Sequence, residues 1–203
     1  YRVLAGKPLF HHIIETLLVC PEIAQVVVDT DSPVIMEGLK ENFPEVIRLD
    51  RPAHLVDGEI PMNEILKHDT SLVEADLYLQ THSTNPALKA STISSCIQKF
   101  LENHNDYDSL FSVTRLQTRL YDSQGAAINH NPKELVRTQD LPPVFEENSC
   151  IYIFSRDTLL KYQHRIGDKP LLYEIEINEA LDIDEETDFM YCDFVLKQKK
   201  EID

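Results

Sequence analysis

The feature that most constrains the fold of this chain is a regular alternation of short β-branched runs with stretches carrying a helical apolar stripe. Leu9, Ile13, Ile14, Leu17 and Leu18 mark one helix face, and Pro8 stands near the helix start. Residues 24–28 form an apolar run, the pattern of a strand buried on both faces. The run ends in Asp29-Thr30-Asp31-Ser32-Pro33, a strand-end turn and helix cap, and residues 34–42 continue as helix. The same reading predicts strands over residues 46–49, 75–80, 109–113, 149–154 and 171–177. It predicts helices over 62–72, 90–101, from 157 onward, and 185–200. Lys197, Lys199 and Lys200 at the end of the last helix suit its dipole. Strand–helix alternation of this kind builds an α/β fold with three layers and a mainly parallel sheet. The rhythm breaks at residues 115–143, which are polar and contain Gly125, Asn129, Pro132 and a Pro142-Pro143 pair. A protruding arm of short hairpin strands is expected there, within one domain spanning 1–203.

In open α/β sheets, ligands bind beyond the carboxyl ends of the strands. That rule gathers Asp29 to Ser32, Arg51, Gln80 to Asn85, and Asp182 to Asp184 around one crevice. Asp182 and Asp184 lie one residue apart after an extended-looking segment, so in a strand their side chains share a face. Two readings stand for them. Paired carboxylates suit Mg²⁺, which takes one or two of them together with substrate phosphates. Alternatively, Asp184 with Glu185 and Glu186 is an N-cap and acidic first turn. Gln80 and Tyr152 have a plain alternative too, since a glutamine at a strand end can satisfy backbone groups and a strand tyrosine can be core. Asp29 and Asp31 read as cap and turn residues, His82 alone is weak evidence for acid–base work, and His11-His12 reads as surface or interface.

The formal charge of −16 excludes general nucleic-acid and anionic-membrane binding, both of which need basic surface. An acidic chain binds anionic ligands only through local clusters of Lys, Arg and helix N-termini. Cys20, Cys96, Cys150 and Cys192 are scattered, which argues against a zinc or disulfide framework and for reduced thiols, hence a cytoplasmic setting. No apolar run approaches membrane-spanning length.

Taken together, the landmarks resemble the acylneuraminate cytidylyltransferases, the CMP-sialic acid synthetase family. The carrying segments are Arg2 to Leu9, Val28 to Ser32, Arg51-Pro52 with Leu55, and Leu79 to Pro86. Arg137 to Pro142, Glu147 to Ile153, and Asp182-Ile183-Asp184 with Asp188-Phe189 complete the set. The resemblance implies a Rossmann-like nucleotide-diphospho-sugar transferase fold and CMP transfer from CTP to an acidic nine-carbon sugar, with release of pyrophosphate. It implies Asp182 and Asp184 as Mg²⁺ ligands, and Gln80 and Tyr152 at the sugar. It places Arg51 at the cytosine with main chain near Ile60 and Met62, and Arg137 at the sugar carboxylate or phosphate, with Arg115 reached across a homodimer formed through an arm at 115–147. Such a reaction needs positioning and charge neutralisation more than covalent catalysis. The family's glycine-rich phosphate loop is expected upstream of Tyr1. Asn148-Ser149-Cys150 stands for the usual Asn-Gly-Ala, and Leu88 where many members carry Arg; these departures bear on which sugar is used. Two further classes are weighed: a nucleotide-sugar glycosyltransferase, whose metal motif normally lies earlier in the chain, and a nucleotide-binding or dimerisation module without turnover.

Overall fold

A computed structural model describes residues 2–202, with side chains described through 198; the side chains of Lys199 and Lys200 lie outside the described residues. The chain opens with a tight hairpin of β1 (Val3–Leu4) and β2 (Lys7–Pro8) leading into α1 (Leu9–Leu18). Then follow β3 (Val27–Thr30), α2 (Pro33–Asn42), β4 (Ile47–Asp50), α3 (Met62–Leu72), β5 (Tyr78–Gln80) and α4 (Ala90–Asn103). The second half holds β6 (Ser109–Leu116), β7 (Val144–Phe154), α5 (Arg156–Tyr162), β8 (Pro170–Glu174) and α6 (Glu186–Ile202). Local chemistry sets several of these bounds. Ser32 caps α2 by accepting the Ile35 N–H, with Pro33 in the first turn, and Ser155 caps α5 by accepting the Thr158 N–H at 3.0 Å.

The sheets differ from the mainly parallel arrangement expected. β3 and β4 form a separate parallel pair, and the larger sheet is mixed, with four strands in the order β5-β7-β6-β8. β6 and β8 run parallel, whereas β7 is antiparallel to both β5 and β6. The cause is the connection between β6 and β7. Parallel neighbours need a crossover, usually a helix. Residues 117–143 contain no α-helix, only the 3₁₀ turn Thr138–Asp140 and an isolated bridge between Tyr121 and Ala127. The chain therefore returns beside itself with its direction reversed.

Three layers are present. Ile151 and Ile153 of β7 join one apolar cluster with Phe10, Ile13 and Ile14 of α1, Leu39 of α2, and Ile93, Cys96 and Phe100 of α4. Tyr152 and Phe154, alternating with them, meet Leu66 of α3 and Leu159 of α5. Each such fully buried side chain contributes about 1.5–3 kcal/mol of transfer free energy. His11 and His12 lie in this interior rather than on the surface. His11 packs edge-on between Phe10 and Phe43, and burial lowers its proton affinity. His12 donates from Nε2 to the Leu4 carbonyl at 2.9 Å, pinning the β1–β2 hairpin to α1. All four cysteines are buried. No helix among the described residues is long and apolar enough to cross a membrane.

Candidate active site

Gln80, the last residue of β5, stands directly opposite Tyr152 of β7 in the sheet register. Beyond Gln80 the chain enters the loop from Thr81 to Lys89 that leads to α4. This loop holds the Asp182 segment at two points. Asn85, fully buried, donates from Nδ2 to the Leu181 carbonyl at 3.3 Å, and Ile183 donates its N–H to the Thr84 carbonyl at 3.0 Å. Asp182 is therefore clamped between two tethers. Its Oδ1 is buried without a hydrogen-bond partner, an acceptor left for a donor or a cation.

The Asp182–Asp184 segment is not a strand, contrary to the expected strand edge. β8 ends at Glu174, the chain turns over residues 177–179, and the following stretch runs along the β5–α4 loop instead of a sheet. Asp184 is not the helix cap either. Asp188, at the third position of α6, reaches back to accept the N–H groups of Asp184 (3.2 Å) and Glu185 (2.8 Å), the acidic half of a capping box. The Asp184 carboxylate is exposed and carries no cap.

Glu179, which the sequence did not single out, holds this loop from below. Its carboxylate is 3% exposed, accepts the backbone N–H of Lys89 at the start of α4 (3.1 Å), and pairs with Lys89 Nζ (2.7 Å).

A second unanticipated residue is Arg165. α5 ends at Gln163 in the left-handed region (φ 54°), turning the chain back toward the sheet. The Arg165 N–H bonds Asn63 Oδ1 of α3 at 3.1 Å. Gly167 N–H bonds Ser109 Oγ, while Asp168 and Lys169 donate to the Asp108 carboxylate. A Cβ at Gly167 would lie 2.3 Å from Asp108 Oδ1, so any larger residue there must displace the carboxylate that holds the segment. So fixed, the Arg165 guanidinium lies 3.5 Å from the centroid of the Tyr152 ring and gives an N–H to Gln80 Oε1 at 2.5 Å.

The amide of Gln80 is thereby oriented, and its Nε2 donates to His82 Nε2 at 2.8 Å. An accepting Nε2 means a neutral imidazole with its proton on Nδ1. Burial is the main cause of His82's lowered proton affinity and the Arg165 charge adds to it, while Asp182 opposes. The Tyr152 hydroxyl donates to Glu147 and, at 3.2 Å, accepts from Ser149 Oγ. Tyr152 itself is fully buried, its ring beneath Arg165. Burial raises its phenol pKa, helped by the bond to Glu147.

The remaining candidate residues lie elsewhere. Arg51 follows β4 and pairs with Asp29 of β3 (Nε to Oδ2, 2.8 Å), with 22% and 7% of the two side chains exposed. Asp69 of α3 faces this pair; burial, then the Asp29 charge, push its carboxyl up to about 7 against the pull of Arg51. Asp29 is thus an ion-pair partner rather than a cap. Arg137 lies in the arm, exposed and paired with Asp140 at 2.7 Å. Arg115 is exposed on β6 opposite Phe145. Within one chain the structure brings together Gln80, Tyr152 and Asp182, and adds His82 and Arg165. No periodic pattern marked Arg165 or Glu179, because Arg165 meets Gln80 and Glu179 meets Lys89 across some 85–90 residues.

Among the described residues no group of three or more His, Cys, Asp or Glu could hold a metal alone. A Mg²⁺ shared with phosphates needs only one or two carboxylates, and the unpartnered oxygen of Asp182 fits that demand.

A family model described as cytidylyltransferase matches residues 1–201. The chain is 25% identical over 185 residues to the post-translational flagellin modification protein B of Campylobacter coli, covering 86% of this chain and 77% of that protein. It is 23% identical over 212 residues to the N-acylneuraminate cytidylyltransferase of Streptococcus agalactiae, covering 97% of this chain and 50% of the relative, so it spans about half that protein's length. Among solved structures, the CMP:2-keto-3-deoxy-manno-octonic acid synthetase complexed with CTP superposes with a TM-score of 0.69 at 15% identity, over 98% of this chain and 91% of the other. That likeness extends to the 4-diphosphocytidyl-2C-methyl-D-erythritol synthase of Anaerococcus prevotii, with a TM-score of 0.68 at 12% identity, so the α/β nucleotidyltransferase fold is shared. By the match of nearly its whole length, this chain belongs to the cytidylyltransferase family.

Proposed function

We propose that the protein transfers CMP from CTP to a nonulosonic, sialic-acid-like sugar and releases pyrophosphate. The observation that carries this reading is the clamped Asp182, with its unpartnered buried oxygen, held at the same sheet edge as the registered pair Gln80 and Tyr152. Family membership supports the reaction class, and relatives named for N-acylneuraminate and for N,N′-diacetyllegionaminic acid support an acidic nine-carbon sugar.

In this reading Asp182 and Asp184 hold Mg²⁺, which when bound neutralises phosphate charge and orients the triphosphate. The chain's own residues do the rest. Arg51, stiffened by Asp29, presents its guanidinium beyond β4 toward the nucleotide base. Gln80, oriented by Arg165 and His82, offers its amide to the sugar. The neutral His82 keeps positive charge low beside the sugar hydroxyl that attacks the α-phosphorus. A homodimer through residues 115–147 brings Arg115 and Arg137 to the neighbouring site. The arm's surface supports it, since Leu135 is 97% and Ile128 59% exposed.

The test is pyrophosphate release by the full-length protein with CTP, Mg²⁺ and a panel of 2-keto sugar acids. Asp182→Ala and Asp184→Ala are expected to abolish Mg²⁺-dependent turnover with the far-UV spectrum unchanged. No release with any sugar acid refutes the reaction. Variants that lose stability yet keep Mg²⁺-dependent turnover remove the aspartates from the metal site.

A further inference from the structure

Arg165 is a partly buried guanidinium without a carboxylate. Eight ion pairs are formed among the described residues, and none involves Arg165, although the chain carries 35 acidic residues. Glu147, the acid whose charge reaches it, commits its carboxylate to the Tyr152 hydroxyl. Withdrawing a cation from water without a counter-ion is unfavourable. Stacking on Tyr152 and one bond to Gln80 offset only part of that cost. The backbone bonds of the 165–169 segment, the seat over the tyrosine ring and the bond to Gln80 hold the guanidinium in place in advance. A pre-oriented planar fork beside a strand-end amide is what bidentate capture of a carboxylate needs.

We infer that Arg165 is the anchor for the carboxylate of the sugar acid, gripping it above the Gln80–Tyr152 pair of the same chain. The inference rests on the cytidylyltransferase reading and adds to it an in-chain determinant of substrate charge. The bland alternative is a packing role, in which Arg165 merely covers Tyr152.

The experiment uses the full-length protein and the sugar acid that supports turnover, N-acetylneuraminic acid first, together with its carboxyl methyl ester. Pyrophosphate release gives kcat and KM for each substrate. Wild type should prefer acid over ester, and Arg165→Ala should raise KM for the acid roughly 10- to 100-fold, the loss of a charge-assisted pair. It should leave KM for CTP within about twofold and make acid and ester nearly equal. Arg165→Lys should restore part of the preference, because the charge remains while the fork is lost. Should Arg165→Ala fold poorly, the lysine variant and Arg165→Gln carry the same comparison. Preserved acid-over-ester preference in Arg165→Ala or Arg165→Gln, or an equal rise in KM for CTP, overturns the assignment while leaving the reaction standing. Absence of wild-type turnover with every sugar acid overturns the reaction itself.

Discussion

Glu179 offers the sharpest test of how the site is held. Its carboxylate is 3% exposed and accepts both the N–H of Lys89 and the Lys89 ammonium, whose side chain is 51% exposed. Lys89 precedes the first turn of α4 and offers that end no side-chain cap, so Glu179 supplies a negative charge to the helix dipole from a distant loop. In Glu179→Ala the part-buried N–H of Lys89 loses its acceptor, at about 1–3 kcal/mol. The half-exposed ammonium rehydrates, so that pair adds only about 0–1 kcal/mol. The sum is about 1–4 kcal/mol, or a fall in Tm of roughly 2–16 °C for a domain of this size. Glu179→Gln retains an acceptor and loses only the charge, so about 1–1.5 kcal/mol is expected. Lys89→Met removes only the exposed arm and should cost under about 1 kcal/mol. Equilibrium urea unfolding at 25 °C, with an unchanged m-value, measures all three. A loss below about 0.5 kcal/mol for Glu179→Ala, or equal losses for alanine and glutamine, would refute the account of a buried charged cap.

Two further perturbations test other parts of the molecule. Asp69 binds its proton more tightly folded than unfolded, since its carboxyl rises from 3.8 to about 7, so its contribution to stability is withdrawn as pH rises through that window. Asp69→Asn should raise the urea midpoint above pH 7 and change it little near pH 4; a difference independent of pH would sink this reading. Ser149 sits in the left-handed region (φ 58°), in the β7 stretch where pairing with β6 shifts register between Phe111 and Val113. Ser149→Gly should relieve up to about 1 kcal/mol of strain, partly offset by loss of the 3.2 Å bond that its hydroxyl gives to Tyr152. A destabilised glycine variant in thermal unfolding would show that the hydroxyl matters more than the backbone.

What the sequence determined by itself was local. Apolar periodicity placed α3 at its observed bounds and the start of β6 at Ser109, and it put Gln80 at a strand terminus, because side-chain period follows directly from backbone geometry. The same rule placed Asp182 beyond a strand, though the strand ends at Glu174 and the aspartate lies in a loop. Departures from the family pattern were legible too: serine stands where glycine is usual, and the backbone at Ser149 is left-handed.

Tertiary structure decided direction and convergence. Whether β7 runs with or against its neighbours depends on how a helix-free connection returns, and period alone is silent on that. His11 and His12 carry polar labels, yet α1 turns them inward because hairpin and helix close over them. Asp182 gains its meaning from Thr84 and Asn85, Lys89 from Glu179, and Gln80 from Arg165. Each of these pairs is separated by more than eighty residues, so no local pattern encodes it; only the packing of loops at one sheet edge brings the partners together.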